Sequence, residues 1–483
     1  MGDMQLQRIL GTATTWLVGM GVAIGSGIFR TPGDIAAYLH APAWIVAAWL
    51  LGGGIVLMQC LVTAELATRV PRAGGEYAFL KAAYGEFPAF FFGWAYTVLI
   101  LGGGAALIAA ALGDFACELL QVDAARSGWF AAGAIALVAA VNAAGLRVGA
   151  GAQNTLTLLK IAALATVIVI GFSATVPLRS AGTAPPVAAF AASAPAGGAG
   201  AAGVPAAAAF LAALLNVLWA YDGVTDSAKL AEEIRDVRRA VPRGLLGGAV
   251  TLTLLYVLVN LALLRIVPAA EMASLAFVPG EALARLYGPS GRTMMLAVAI
   301  VVCLGALSAT LLAPIRVTFA LARDRLTFSF LSRMSAGQAP VPALMVVAAF
   351  AALLALTRTF SQVLQVYYFA AALLFGLTYA SLIVLRRREP EPGPQVYRAP
   401  AGTVLATLLI LVQLAIATHT ASQRPLDMLY ASGLLVFLGV LYFIWKRACT
   451  GSQSSSSTFP VPPSTAPETT GACTPNSCTS RPP

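Results

Sequence analysis

Residues 17–33 read LVGMGVAIGSGIFRTPG, and they decide the fold because an apolar helix cannot run through them undisturbed. Gly25-Ser26-Gly27 interrupts the segment at mid-depth, with Gly19 and Gly21 just upstream. A glycine inside a helix is about 1 kcal/mol weaker than alanine, so a local break is predicted here. In a bilayer, the freed backbone groups are tolerated only against protein or a wet cavity. The break is therefore a candidate binding site. Its second half offers backbone N–H groups and a positive dipole end to an anion such as a carboxylate.

The rest of the chain supplies the setting. It has 483 residues, 59% of them hydrophobic and 10% charged, with a mean hydropathy of +0.82. Soluble domains carry about 25% charged residues, so this is a polytopic membrane protein with little soluble mass. The formal charge of +10 resides in short basic clusters between apolar runs. With no soluble domain to present them, they argue against nucleic acid as a partner. Cys60 and Cys303 lie in apolar runs, Cys117 falls after the third expected span, and Cys449, Cys473 and Cys478 follow the last. They make neither a metal pattern nor a disulfide framework. No cleavable signal is evident, because Gly2 to Arg8 leads directly into a span.

Spans need roughly 20 apolar residues, and about twelve are predicted. They cover 10–30, 42–66, 86–112, 128–146, 151–173, 207–228, 244–266, 293–318, 341–357, 362–385, 402–420 and 427–446. Arg69, Arg72 and Lys81 follow the second, Arg147 the fourth, and Arg235, Arg238, Arg239 and Arg243 the sixth. Arg323, Arg325 and Arg333 follow the eighth, Arg386 to Arg388 the tenth, and Lys446 and Arg447 the twelfth. Every even-numbered exit is basic, which places both termini in the cytoplasm and the chain as a multi-pass protein of the cell (inner or plasma) membrane. Residues 1–9 are then a cytoplasmic lead and 174–206 an external Ala/Gly/Pro loop, punctuated by Pro185, Pro186, Pro195 and Pro205. Residues 386–401 form a basic loop, 402–447 hold the last two spans, and 448–483 form a Ser/Thr/Pro tail expected to be disordered.

The sixth span breaks as well. It reads FLAALLNVLWAYDGVTDSAKLAEEI from Phe210 to Ile234, and its apolar run stops at Tyr221-Asp222-Gly223. A helix from Ala207 to Ala220 would reach only about 21 Å, short of a hydrocarbon core of about 30 Å. The polar residues must complete the crossing and are expected to line a cavity. Matching interruptions in the first and sixth spans are what a five-plus-five inverted repeat shows, with residues 10–173 as one repeat and 207–385 as the other.

Four stretches then carry a family resemblance. GMGVAIGSGIF (19–29), AELATRVPRAGGEYAFLKAAYG (64–85), WAYDGVTDSAKLAEEIRDVRRAVPRG (219–244) and LRRREPEPGPQVYRAP (385–400) resemble motifs of the amino acid–polyamine–organocation permeases. Within that superfamily they are similar to the L-type amino acid transporter-like branch. The likeness covers roughly residues 5–447. It departs at Asp236-Val237, where the family has Asn-Pro after Glu-Glu, and in the polar residues after the sixth-span break. The resemblance implies an all-α integral membrane protein of the leucine-transporter type, with about twelve helices, the first and sixth broken.

The resemblance also implies a site. A zwitterion's carboxylate would rest on Gly25, Ser26 and Gly27, and its ammonium on carbonyls at Ala23, Trp219, Ala220 and Asp222. The alternative for Gly-Ser-Gly is close helix packing through small residues. Trp219 would cap the substrate from outside as a gate; the alternative is a lipid-facing belt residue. Asp222, an intramembrane carboxylate, would bind substrate or a cation or take up a proton, or else cap the second half-helix. Lys160 would stand in for the sodium ion of sodium-coupled relatives and touch the first helix; the alternative is snorkelling to the surface. A buried lysine that sheds its proton would also serve as a proton carrier. Ser308 and Ala309 of the eighth span would face the site and set its size. Glu65 and Glu76 are expected to pair with loop arginines. His40 and His419, at opposite span ends, suggest neither a metal nor a catalytic site.

The function expected is secondary active transport of small neutral L-amino acids by alternating access, sodium-independent and driven by exchange or by protons. No cofactor and no obligatory protein partner are expected, the Cys117 loop position being weak ground for a disulfide-linked subunit. A cationic amino acid or polyamine permease is the rival within transport, and would want more acid than Asp222 and Asp226 provide. A membrane enzyme would need clustered His, Asp or Cys within the spans. An ATP-driven pump would need a Gly-rich phosphate loop, which the sequence lacks.

Overall fold

A computed structural model describes residues 6–174, 206–357, 360–423 and 425–454. Nearly all of the expected 174–206 loop, and the tail beyond Ser454, lie outside these. Among the described residues the regular secondary structure is all helical, apart from one parallel bridge between Leu10 and Ile234. Nine helices among the described residues are long and apolar enough to cross a membrane, or ten with the bent pair Thr12–Ala23 and Gly27–Leu39 counted as one span. Val341–Thr357 is a shorter apolar helix, and a further helix runs from Pro425 to Ser454. Residues 448–454 thus continue the last helix rather than begin the tail.

The first span bends by 49° between its halves. The sixth is helical over Ala206–Tyr221, breaks at Asp222-Gly223, and resumes as a tighter 3-10 helix over Val224–Glu233. The two breaks lie against one another. A Cβ on Gly27 would stand 2.7 Å from Ala220 Cα, and Gly223, at φ +96°, would drive one into Val22. Only glycine permits both the backbone conformation at Gly223 and this approach. The predicted break and the rival close packing are thus both features of the same glycines.

Two further interruptions have a weaker sequence signal. The third span runs unbroken in direction from Glu86 to Leu120 but relaxes into π-helix over Tyr96–Gly102. Within it, the Thr97 hydroxyl bonds the Gly93 carbonyl at 2.7 Å and Thr318 at 2.9 Å. The eighth span stops at Thr310 and restarts at Ile315, because Pro314 has no N–H to continue the ladder. The longer third span also corrects the place of Cys117, which is buried within the helix Gly103–Leu120 rather than lying in a loop.

The seventh span, Val237–Ile266, packs against the second span and both broken spans. Its start is capped by Asp236, whose carboxylate accepts from the Arg239 N–H at 3.3 Å. The departure at Asp236-Val237 therefore supplies its own helix cap.

Candidate substrate site

The geometry starts from the main chain. Ile24 leaves the helical region (φ −74°, ψ 89°), and the second half-helix begins with Phe29 and Arg30 donating back to the Ser26 carbonyl. The N–H groups before Phe29 precede the first helical bond, as at any helix start. On the sixth span, the Asp222 N–H donates to Trp219 O at 3.2 Å, while the Ala220 carbonyl turns toward the seventh span. There the Tyr256 hydroxyl lies 2.9 Å from Ala220 O and 3.0 Å from Ala23 O. One phenolic proton is thus shared between the carbonyls released at the two breaks. Trp49 and Tyr221 pack on its ring at 5.4 and 5.1 Å between centroids and fix its direction.

A single cavity opens at the junction. Val22, Ala23, Gly25, Ser26 and Gly27 line it from the first span, and Trp219, Asp222, Gly223 and Asp226 from the sixth. The π-helical stretch contributes Tyr96, Ile100 and Leu101, the eighth-span break Thr310 and Pro314, and the tenth span Tyr367 and Phe375. Its room for water-sized contents is about 50 Å³, a few waters' worth. The hydroxyls of Ser26 and Thr310 are buried there without a hydrogen-bond partner among the described residues. Buried polar atoms normally have partners, so two orphans on one cavity wall leave hydrogen-bonding capacity open to a polar guest.

The side chains singled out from sequence divide into those on the cavity and those off it. Ala23, Gly25, Ser26, Gly27, Trp219 and Asp222 line it. Trp219 is enclosed by the tenth span, with Tyr367 and Tyr368 set edge-on to it at 5.0 and 6.5 Å, so it faces protein rather than lipid. Asp222 accepts from Tyr367 Oη and from the N–H of Gly223 at 2.9 Å. Ala220 touches Gly27 instead of the cavity. Ser308 also lies off it: the Ser308 hydroxyl donates to Asn142 Oδ1 at 3.2 Å, and Asn142 Nδ2 donates to Ser308 O at 2.9 Å. The break after Thr310 turns Thr310 and Pro314 inward in place of Ser308 and Ala309.

Lys160 is fully buried on the fifth span, with Nζ 2.8 Å from the Gly21 carbonyl of the first half-helix. It does not snorkel. Gly305 of the eighth span leaves the space its stem needs.

Charge gathers on the arginine-rich side of the cavity. Lys229 is buried and pairs with Asp226 and, at 3.0 Å, with Glu76. Glu233 pairs with Arg316 at 2.7 Å, both buried, and Glu232 takes Arg323 in two bonds of 2.9 and 3.1 Å. Glu65 pairs with Arg69, as expected of it, and also with Arg386 at the end of the tenth span. Glu76 does not follow expectation, since its partner is a lysine of the sixth span and not a loop arginine. Burial pushes the Glu76 carboxyl above the usual carboxylate range, against the pull of Lys229. Tyr256, Tyr367, Tyr96 and Thr310 are the site's contributions that sequence reading missed, and behind the cavity wall, outside the lining, it also missed Lys229. Only Lys229 carried a clear signal, as a lysine inside a span with no free surface to reach.

The comparisons with known proteins agree with this architecture. The amino acid permease family model matches residues 10–441. The chain is 27% identical to the human b(0,+)-type amino acid transporter 1 over 446 residues, covering 91% of this chain and 88% of that protein. It is 27% identical to the serine/threonine exchanger SteT of Bacillus subtilis over 451 residues, covering 91% and 98%. With the mouse Asc-type amino acid transporter 1 it shares 25% identity over 398 residues, covering 80% and 72%. Two facing helix breaks around a cavity, in a chain matched nearly end to end, make this protein a member of the amino acid permease family, in the L-type transporter-like branch of the amino acid–polyamine–organocation superfamily.

Proposed function

We propose that the protein carries small neutral L-amino acids across the cell membrane by alternating access, without sodium, and by exchange or proton coupling. The observation that carries this reading is the convergence of both helix breaks on one cavity whose Ser26 and Thr310 hydroxyls are buried and unpartnered. A carboxylate at the start of Gly27–Leu39 would meet backbone N–H groups and the positive end of a helix dipole. The ammonium would meet the carbonyls of Ala23 and Trp219, each of which keeps a lone pair beyond its present bond. The tight cavity, walled in part by Trp219 and Tyr367, favours a small side chain. Lys160, bonded to Gly21 O where sodium-coupled relatives hold an ion, supports sodium independence. The relative named as a serine/threonine exchanger supports exchange.

The arginine-rich ends of the spans are assigned to the cytoplasm, with both termini, by the positive-inside rule. The carrier is proposed to work without a protein partner. Proteoliposomes preloaded with one amino acid and given labelled L-alanine or L-serine outside test the reading. Countertransport of these substrates is expected, equal in sodium and choline media. A sodium-dependent signal, or none with any of the twenty amino acids, would reject it.

A further inference from the structure

At the foot of the cavity the chain has built an ammonium subsite and filled it with its own side chain. Asp226 and Tyr96 belong to the cavity wall. Lys229 stands behind them, wholly buried, its Nζ on the Asp226 carboxylate, 3.0 Å from Glu76 Oε1 and 5.1 Å from the centroid of the Tyr96 ring. Two carboxylates and an aromatic face are the surroundings a cation needs once its water is gone. The 3-10 helix over Val224–Glu233 makes the pairing possible, because residues three apart eclipse there, which sets Lys229 over Asp226. Glu76 Oε2 is buried with no partner among the described residues. The acceptors therefore exceed what one lysine satisfies, and two carboxylates against one ammonium leave a net negative charge.

We propose that Lys229 is a tethered cation that sets substrate selectivity: its ammonium holds the position that the side-chain ammonium of a cationic amino acid would take, and so confines transport to neutral side chains. The inference rests on the neutral-substrate reading above and deepens it. With Lys229 removed, Asp226 and Glu76 would face the cavity as uncompensated buried charges, which only a guest cation or protons could balance. The same wall that rejects a second ammonium in the native protein would then attract one. Specificity here comes from a repulsive element already in place.

The test uses full-length protein in proteoliposomes, with uptake of labelled L-alanine competed by unlabelled L-lysine or L-alanine. In the native protein L-lysine is expected to compete about tenfold more weakly than L-alanine, and Lys229→Met should improve it about tenfold while leaving competition by L-alanine within a few-fold. The double variant Lys229→Met/Glu76→Gln keeps the cluster's net charge and should show the same gain if the single variant folds poorly. In purified Lys229→Ala, ethylammonium chloride should raise the unfolding temperature, with no rise in the native protein. Retained L-alanine uptake with an unchanged competition ratio would overturn the inference and leave the neutral-substrate reading standing. So would failure of every Lys229 variant to accumulate, which would make the residue purely structural. L-lysine matching L-alanine in the native protein would instead reject the neutral-substrate reading itself.

Discussion

The hydroxyl of Tyr256 lies 2.9 Å from the carbonyl oxygen of Ala220, and on its other side meets Ala23 O at 3.0 Å. A residue of the unbroken seventh span therefore bridges the two broken ones. Tyr256→Phe keeps the ring packing against Trp49 and Tyr221 and removes only the bridge. Leaving a buried carbonyl unsatisfied costs about 1–3 kcal/mol. The purified variant should unfold at a lower temperature and transport more slowly. Native uptake and native unfolding temperature together would show that the bridge is dispensable.

Lys160 meets Gly21 O at 2.8 Å in a fully buried setting. Lys160→Ala should lose most uptake in proteoliposomes, since the first half-helix loses its lateral cation. Unaltered rates would remove this residue from the mechanism. If the cation's place is that of a sodium ion, sodium should stimulate the alanine variant more than the native protein.

Gly27 has no room for a side chain: a Cβ would stand 2.7 Å from Ala220 Cα. Overpacking of this kind costs about 1–3 kcal/mol, and here it would push the two broken spans apart. Gly27→Ala should abolish transport while the protein still reaches the membrane. Transport at the native rate would mean the spans separate freely at this contact.

Ser26 is buried on the cavity wall with an unpartnered hydroxyl. Ser26→Leu fills the space where a carboxylate would lie, and should abolish protection by L-alanine in a thermal-shift assay. Protection equal to that of the native protein would move the site elsewhere.

Glu233 and Arg316 form a buried pair at 2.7 Å on the arginine-rich side. Removing one partner of such a pair costs about 3–5 kcal/mol, because the other charge is left buried alone. Arg316→Met should therefore unfold at a markedly lower temperature. Pairing it with Glu233→Gln should recover much of the loss, and equal loss in single and double variants would contradict the pairing.

Hydropathy along the chain was enough to pick out the apolar runs long enough to be candidate spans, and the two places where such a run breaks. Those properties are local: an apolar run long enough to span the hydrocarbon, and glycines or an aspartate where a helix should continue. Gly25-Ser26-Gly27 and Tyr221-Asp222-Gly223 were legible for that reason, as were Trp219 and Lys160, a tryptophan and a lysine too deep in their spans to pass unnoticed. The tertiary structure alone decided which side chains meet across spans. Ser308 turns to Asn142 while Thr310 turns to the cavity, a difference set by the break at Pro314 rather than by residue type. Tyr256 and Tyr367 read as ordinary apolar-span aromatics until the packing brings their hydroxyls to a carbonyl and a carboxylate. Glu76 looked like a loop residue with arginine neighbours, but the folded chain gives it Lys229, 153 positions away. Helix formation in a bilayer is dictated by hydropathy along the chain, whereas partnership between polar groups is dictated by distances that exist only after the helices have packed.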